Sequence, residues 1–203
     1  MNKERYSKRP RTDLPMGKCF DLIIGSITTI PLILASSTCF AENPEMQAQA
    51  LQEIFVNFCV KNIENLDHLK SSLKNSSALP PEQAKKYLGL RAGSSWVVPN
   101  EQGLFVLSIP EAQDACHVTA RRADPKIAES LFIKFVSSAP PLYSAKKTTD
   151  FNTELDGAGN IHSVGYAWTS GNSTKKIIFA LTVSEHEIAD IQAIAHVKIS
   201  SKQ

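Results

Sequence analysis

The sequence predicts an α+β fold, a mostly antiparallel sheet of about six or seven strands with N-terminal helices and one central helix packed on it. Apolar residues recur at helical spacing in the segments 44–88 and 125–136. Short apolar runs with period-two alternation occupy 96–120 and 148–199, and turn-forming residues separate them. The connections have hairpin length, which favours antiparallel pairing with the helices covering one face of the sheet.

The first 41 residues have the features of a secretion signal. Residues 1–18 are polar and basic, and the apolar stretch that follows is shorter than the roughly 20 residues of a transmembrane helix. Small side chains precede a cleavage point between Ala41 and Glu42, as signal peptidases require. We therefore expect residues 42–203 to form a single exported domain, periplasmic or secreted, without a transmembrane span.

Two features of this leader leave alternatives open. Met16 is an alternative start, because residues 16–18 and the apolar run make a compact signal peptide by themselves. Cys39 introduces a lipoprotein alternative, since a lipid-modified cysteine follows a short box that begins with Leu and ends with Gly or Ala. Residues 36–38 lack both features. We therefore expect simple cleavage rather than a lipid anchor at Cys39.

The exported part is close to neutral. Six of the 22 basic and three of the 20 acidic side chains lie in the leader, which leaves 16 basic and 17 acidic side chains and a net charge of −1. A nucleic-acid-binding domain carries a basic patch or stripe, and a protein that binds anionic lipid headgroups carries a basic cluster. The charge therefore predicts no nucleic-acid partner.

Cys59 and Cys116 remain after the leader is removed. In an oxidising compartment this even pair favours one disulfide, which closes a loop of about 58 residues and is worth roughly 4 kcal/mol in the chain-entropy model. Two buried free thiols are the alternative, because cysteine packs well as a small hydrophobe. A catalytic thiol is disfavoured, because His117 and Cys116 are neighbours on a predicted strand and point to opposite faces.

Three helical segments are predicted before the first strand. The first begins at Pro44, where an Asn N-cap followed by Pro is a typical helix start. Its apolar stripe consists of Leu51, Ile54, Phe55, Phe58 and Cys59. This places Cys59 where it can tie the helix to the sheet. Leucines in the segment 66–73 predict a second helix, and a third begins at Pro81 and ends at Gly89.

The middle of the chain predicts three strands and the central helix. Apolar runs at 96–98, 104–109 and 115–120 indicate an antiparallel meander. In the third run, Cys116, Val118 and Ala120 share one face and His117, Thr119 and Arg121 the other. The central helix begins at Pro125 with Asp as its N-cap. Its predicted stripe is Ile127, Leu131 and Phe135, widened by Phe132 and Val136.

The last third of the chain predicts four further strands, at 148–155, 161–169, 176–183 and 191–199. Residues 156–160 between the first two are Asp-Gly-Ala-Gly-Asn, which favours a hairpin turn. A calcium loop is disfavoured there, because the regular carboxylate spacing and the closing bidentate Glu are missing.

The motifs of common enzymes and metal sites are absent from the sequence. It contains no Cys-x-x-Cys, His-Glu-x-x-His, Gly-x-Ser-x-Gly or Walker pattern. The sequence therefore predicts no cofactor, no metal and no identified catalytic residue.

One weak candidate site remains. Glu185 and His186 have side chains that bind metals, and with His162 or His196 they make a site if the fold brings them together. The alternative is a solvated turn between two strands, because charged residues are mostly exposed.

Several short motifs resemble a known family. Phe58-Cys59 on the first helix, Trp96-Val97 after Gly93, the run 103–107 and Cys116-His117-Val118 are similar to the pattern of a family of proteobacterial exported proteins and lipoproteins. That family is labelled by a meningococcal locus name and has no assigned function. The resemblance covers roughly residues 50–140. It implies a Gram-negative periplasmic location and supports the disulfide, and it implies no activity.

These observations lead to three functional hypotheses. The first is a periplasmic non-enzymatic binding or protein-interaction module, whose partner is an envelope protein or a small ligand. The second is a small periplasmic hydrolase or ligand-processing enzyme that gathers residues such as His162, Glu185, His186 and Asp190. The third is a structural cell-envelope subunit that adds its last strand, residues 191–199, to the sheet of a partner.

Overall fold

The computed structural model describes residues 43–74, 76, 78–89, 91–171 and 173–201 of the 203-residue chain. The predicted secretion signal lies outside the described residues, together with the alternative start at Met16, the cleavage point between Ala41 and Glu42, and Cys39.

The first helix, α1, spans Pro44–Ile54. The Asn43 side chain accepts hydrogen bonds from the backbone N–H groups of Glu45 and Met46, at 3.0 and 3.3 Å. The predicted helix start is therefore confirmed, since an N-cap side chain satisfies donors that have no partner within the helix.

The helix continues as a π-helical segment, Phe55–Val60, in which the backbone N–H of Lys61 bonds to the carbonyl of Val56. This segment buries Phe55 and Cys59 completely. Apolar spacing predicted a helix here but not this wider turn, because the hydrophobic period does not report i→i+5 hydrogen bonds.

Two short helices follow. Helix α2 spans Leu66–Ser72, and the Asn65 side chain caps it by accepting a hydrogen bond from the backbone N–H of His68 at 3.1 Å. Helix α3 spans Pro81–Leu88 and ends at Gly89, whose φ of 65° lies in the left-handed region that favours glycine. Both helices agree with the sequence prediction.

Seven strands form one sheet in which every neighbouring pair is antiparallel. The strands are β1 Gly93–Val98, β2 Phe105–Pro110, β3 Ala115–Ala120, β4 Ser144–Leu155, β5 Gly159–Thr169, β6 Lys175–Ser184 and β7 Ala193–Ser201. Their order across the sheet is β1-β2-β3-β7-β6-β5-β4. The predicted α+β class and mostly antiparallel sheet are confirmed.

The last strand, β7, lies in the middle of the sheet. It pairs with β3 on one side and with β6 on the other, so both of its edges are occupied. The expectation that the last strand adds to a partner is therefore wrong. Within the part of the chain that the structure describes, the edge on this side of the sheet belongs to β4, the longest strand, and its one partner strand is β5.

The central helix, α4, spans Pro125–Ser137 between β3 and β4. The Asp124 side chain accepts a hydrogen bond from the backbone N–H of Ile127 at 2.9 Å, as its N-cap position predicts. The buried stripe of α4 consists of Ala128, Phe132 and Val136. The sequence predicted that Ile127, Leu131 and Phe135 form the centre of the buried stripe, and this is wrong by one residue. These three side chains are half-buried at the edge of the stripe.

One face of the sheet packs against α1, its π-helical continuation and α4, and we call it the helix face. The strand residues buried on it are Trp96, Val98, Phe105, Leu107, Ile109, Cys116, Val118, Ala120, Val164, Trp168, Phe179, Leu181, Val183, Ala193, Ala195 and Val197. Period two places alternate residues of each strand on this face. The core therefore fills the layer between the sheet and the helices.

The opposite face, which we call the open face, is covered by α3 beside β1 and β2. The Nε2 of His117, whose side chain points away from the helix face, lies 3.2 Å from the carbonyl oxygen of Tyr87 on α3. The expectation that all helices cover one face is therefore wrong for α3. Beyond α3, this face of β5, β6 and β7 carries half-buried side chains such as Ile161, Thr182 and Ile194.

Candidate functional site

The fold separates the histidines of the weak candidate site. His162 on β5 pairs with the core residue Val183 and so lies on the helix face. His196 on β7 pairs with His117 and lies on the open face. His186 lies in the loop between β6 and β7. The described residues contain no group of three or more His, Cys, Asp or Glu side chains arranged to hold a metal ion.

His186 holds the β6–β7 loop against the β4–β5 turn. The carbonyl oxygen of His186 accepts a hydrogen bond from the Gln192 side chain at 3.2 Å, and its ring lies beside Gly159. A Cβ at Gly159 would come within 2.7 Å of that ring. The Ser184 hydroxyl donates to the carbonyl of Ala158 at 2.6 Å. This part of the candidate site therefore fixes the position of a loop.

The second histidine of the candidate site, His162, bridges two elements on the helix face. Its Nδ1 lies 2.8 Å from a carboxylate oxygen of Glu129 on α4, and its Nε2 lies 2.8 Å from a carboxylate oxygen of Asp150 on β4. Asp150 also contacts the ammonium of Lys147. The hydrogen bonds to Asp150 and Glu129 raise the pKa of His162, because both favour the imidazolium ion.

The contacts of His162 determine what it can do chemically. A general base needs a free nitrogen that faces a ligand, and both ring nitrogens of His162 are occupied by carboxylates. The hydrogen bond from Lys147 is the main cause that lowers the pKa of Asp150, and the hydrogen bond from His162 lowers it further. This carboxylate therefore stays ionised. The cluster is suited to fastening α4 to the β4–β5 hairpin rather than to proton transfer.

The third histidine, His196, is stacked on His117 across β3 and β7. Their ring centroids are 5.9 Å apart and their planes differ by 23°. Burial is the main cause that lowers the pKa of both residues to about 4. At His196 the positive charge of protonated His117 lowers the pKa further, followed by the charges of Lys198 and Arg91, and Arg91 also lowers the pKa of His117. The pair is therefore neutral at pH 7 and contributes to packing.

The two cysteines of the described chain form a disulfide. Cys59 of the π-helical segment is bonded to Cys116 of β3, and both side chains are completely buried. The bond joins the first helix to the sheet, as the sequence predicted. No helix of the described part is long and apolar enough to cross a membrane.

A groove on the open face lies between α3, the β4–β5 turn and the β6–β7 loop. Its volume is about 620 Å³. We call it the hairpin groove and define it by five residues, Leu155, Ile161, Thr182, Ile188 and Ile194. Three of all fifteen residues that line it are charged, and eight are aliphatic. Because pockets for apolar ligands are lined mainly by such side chains, the groove is suited to an apolar ligand of small or moderate size.

An ion pair closes one end of the groove. The Lys86 ammonium on α3 contacts Asp190 of the β6–β7 loop at 2.9 Å, and this hydrogen bond lowers the pKa of Asp190. Lys86, Asp190 and Ile191 also line a second cavity of about 210 Å³, which continues towards Arg121. The two cavities therefore share one boundary, and that boundary is an exposed ion pair of the kind that contributes little stability.

Two exposed apolar side chains lie at the mouth of the groove, and a third is on the same face of β4. The large hydrophobic residues exposed in the described part are Met46, Leu104, Leu142, Phe151, Leu155 and Ile188. Leu155 and Ile188 line the groove. Phe151 lies on the same face of β4 as Leu155, four residues before it. An exposed apolar cluster next to a concave site marks an interaction surface more strongly than scattered exposed residues do.

Sequence reasoning missed Glu129 and the hairpin groove. Glu129 meets His162 only because α4 crosses the β4–β5 hairpin. The groove combines Leu155, Ile161 and Ile188 from segments that are distant from Lys86 along the chain. The signal in the sequence was the pair Phe151 and Leu155, two large apolar side chains that lie on the open face of β4 and remain exposed.

No protein-family model matches this chain, and neither a curated protein nor a solved structure is significantly similar to it.

Proposed function

We propose that this protein is an exported, non-enzymatic binding module of the periplasm, and that its hairpin groove binds an apolar segment of a polypeptide partner. The observation that carries the proposal is the groove itself, a cavity of about 620 Å³ with exposed Leu155 and Ile188 at its mouth. Apolar side chains that remain in water are stabilised when a partner covers them.

The shape of the groove supports binding without rearrangement. The Ser184 hydroxyl and the Gln192 amide hold the β6–β7 loop, and the backbone N–H of Glu185 adds a hydrogen bond of 3.3 Å to the carbonyl of Asn160. A preformed site loses less conformational entropy on binding than a mobile one. The groove is therefore suited to capturing a flexible apolar segment.

The assignment to the periplasm rests on two supports. The first is the predicted leader of residues 1–41, together with the resemblance of residues 50–140 to the exported proteobacterial family. The second is the buried Cys59–Cys116 disulfide, because disulfides persist in oxidising compartments such as the periplasm. Membership of that family is part of the proposal.

The proposal is tested by crosslinking in the cell envelope. A photoreactive benzoylphenylalanine replaces Ile188 at the groove mouth, and the same residue replaces Leu142 as the matched control. Both positions are exposed, at 76% and 89%, and Leu142 precedes the opposite end of β4. We expect a polypeptide adduct at Ile188 and none at Leu142.

A second variant shows whether the groove is responsible. Thr182→Trp fills the groove from the sheet, and its ring should abolish the adduct at Ile188 while the melting temperature stays within a few degrees of the unsubstituted protein. Equal adducts at Ile188 and Leu142 would overturn the proposal. An adduct of lipid or small-molecule mass at Ile188 would also overturn it and would indicate a carrier of such ligands.

A further inference from the structure

Among the described residues, strand β4 ends the sheet and pairs with no strand along its outer edge. All twelve of its residues are exposed except Ala145, which is half-buried. The opposite edge is partly covered, because Ala78 forms a bridge to Trp96 and Leu79 N–H bonds to the carbonyl of Ser95. An edge strand presents a row of free N–H and C=O groups, which is a template for pairing with another strand.

Only the first part of β4 carries features that block such pairing. A register shift lies between Lys147 and Thr149, and Lys146 and Lys147 precede it. Bulges and lysines are common means of protecting an edge. The following residues, 149–155, keep a continuous register with β5. They therefore offer a regular edge of seven residues.

The charges of β4 are arranged for antiparallel pairing with itself. The basic residues Lys146 and Lys147 lie in its first half, and the acidic residues Asp150 and Glu154 lie in its second half. Antiparallel pairing of two copies places the first half of each strand beside the second half of the other. A parallel arrangement would place like charges opposite each other, which is destabilising.

The face on which each side chain lies restricts the register further. Two residues that oppose each other across paired strands must lie on the same face of the sheet. In a symmetric dimer the two-fold axis therefore passes through a residue of β4 and not between two residues. An axis at Asn152 sets Asp150 opposite Glu154, and an axis at Asp150 sets that carboxylate opposite its own copy. Both registers oppose like charges.

An axis at Phe151 avoids this repulsion. It sets Phe151 opposite its own copy, Thr149 opposite Thr153, and Glu154 of one copy beside Lys147 of the other across the register shift. Aromatic pairs and opposite charges both stabilise neighbouring strands, by roughly 0.2–1 kcal/mol each relative to an alanine pair. Lys147 already contacts Asp150, so Glu154 of the second copy would join an existing ion pair.

We propose that two copies of this protein pair through β4, antiparallel and centred on Phe151, and so join their seven-stranded sheets into one continuous sheet. Because the axis is perpendicular to the sheet, both open faces lie on the same side. The two hairpin grooves then face one partner together. The proposal rests on the edge and its charges, and it holds independently of what the grooves bind.

The stoichiometry is tested first. Analytical ultracentrifugation of the purified protein over a range of concentrations should show a monomer–dimer equilibrium, since a contact of one strand pair is small and concentration-dependent. Phe151→Lys places like charges at the axis and should weaken association at least tenfold. Leu142→Lys is the matched control, an equally polar change that lies outside β4, and it should leave the dimer intact.

The register is tested with single cysteines and a short bismaleimide. The unsubstituted protein gives the baseline for crosslinking, because a chain that keeps its leader also carries Cys19 and Cys39. Phe151→Cys should crosslink as a symmetric dimer. Thr149→Cys and Thr153→Cys should not crosslink alone, because each lies about 14 Å from its own copy in this register. The double variant with both cysteines should crosslink.

Two results would overturn the inference. One is a monomer at every concentration, or a dimer that Phe151→Lys does not weaken more than Leu142→Lys does. The other is efficient crosslinking of Thr149→Cys or Thr153→Cys alone, which would require another register.

Discussion

His117 and His196 face each other on β3 and β7, and burial holds both in the neutral form. In the unfolded chain each imidazole accepts a proton near its ordinary pKa of 6.5, whereas in the folded protein this happens only near pH 4. Between these values the unfolded state binds more protons. The free energy of unfolding therefore decreases as the pH falls from about 6.5 to about 4.

For His117 alone, the shift corresponds to a loss of about 3 kcal/mol across that range. Urea unfolding at pH 7 and at pH 4 measures it. His117→Phe keeps an aromatic ring in the site and should reduce the pH dependence by about that amount. His68→Phe is the control, because His68 is exposed on α2, and it should leave the pH dependence unchanged. An unchanged slope in His117→Phe would contradict the prediction.

His162 gives the opposite dependence. Its pKa is raised in the folded protein by the carboxylates of Asp150 and Glu129, so its stabilisation is fully present below pH 6.5. This stabilisation is lost as the pH rises through the folded pKa, because neutral imidazole donates only one hydrogen bond. Compared with the unsubstituted protein, His162→Gln should therefore lower the melting temperature more at pH 6 than at pH 8.

Thermal unfolding monitored by circular dichroism measures this difference. His186→Gln serves as the control, because its ring contacts Gly159 and the backbone of Ile188 rather than a carboxylate. An equal effect of His162→Gln at both pH values would show that the imidazolium form does not fasten α4 to the hairpin.

At the scale of elements, Trp168 of β5 donates a hydrogen bond to a backbone carbonyl at the C-terminal end of α4. The indole N–H donates to the carbonyl of Val136 at 2.6 Å. Val136 is the last residue but one of α4, so its carbonyl belongs to the four that have no partner within the helix. The Trp168 ring also packs against Phe135, Tyr143 and Phe179, with centroids 4.5 to 6.4 Å away.

Trp168→Phe should therefore cost about 2 kcal/mol more than Trp96→Phe in chemical unfolding, because it leaves the Val136 carbonyl buried without a donor. Trp96 is a matched control. Its exposure is 6% against 5% for Trp168, and its indole N–H has no hydrogen-bond acceptor among the described residues. Equal losses in the two variants would mean that ring volume, rather than the hydrogen bond, stabilises this contact.

At the scale of the whole molecule, β7 joins two halves of the sheet. Strands β1 to β3 form one antiparallel meander and β4 to β6 another, and β7 lies between β3 and β6. It buries Ala193, Ala195 and Val197 in the core. The two halves therefore depend on a strand whose pairing with β3 joins residues that are distant in sequence.

A chain that ends after Gln192 should consequently lose cooperative unfolding and resistance to proteolysis. A chain that ends after Ile199 is the control, since it removes only the outermost pairs of β7 with β6, and it should remain folded. Limited proteolysis and thermal unfolding compare the two. A shorter chain that stays native would show that β3 and β6 pair directly.

Much of this fold could be predicted from the sequence, because helix caps, turns and the alternation of side chains along a strand depend on neighbouring residues. Asn43 and Asp124 cap helices with their own side chains, and Gly89 ends α3 with a positive φ. The turn at residues 156–160 follows from its glycines, and period two placed Cys116 and His117 on opposite faces of β3. Each of these features depends on residues within a few positions of one another.

Contacts between distant segments decided the rest. The sequence by itself determined the α+β class, the order of the elements and the cysteine pair that joins the first helix to the sheet. The tertiary structure alone placed α3 on the open face, β7 inside the sheet, Glu129 against His162, and the groove beside β4. The physical reason is that periodicity records which side of an element is apolar, whereas the neighbour that covers that side is selected by packing of the whole chain.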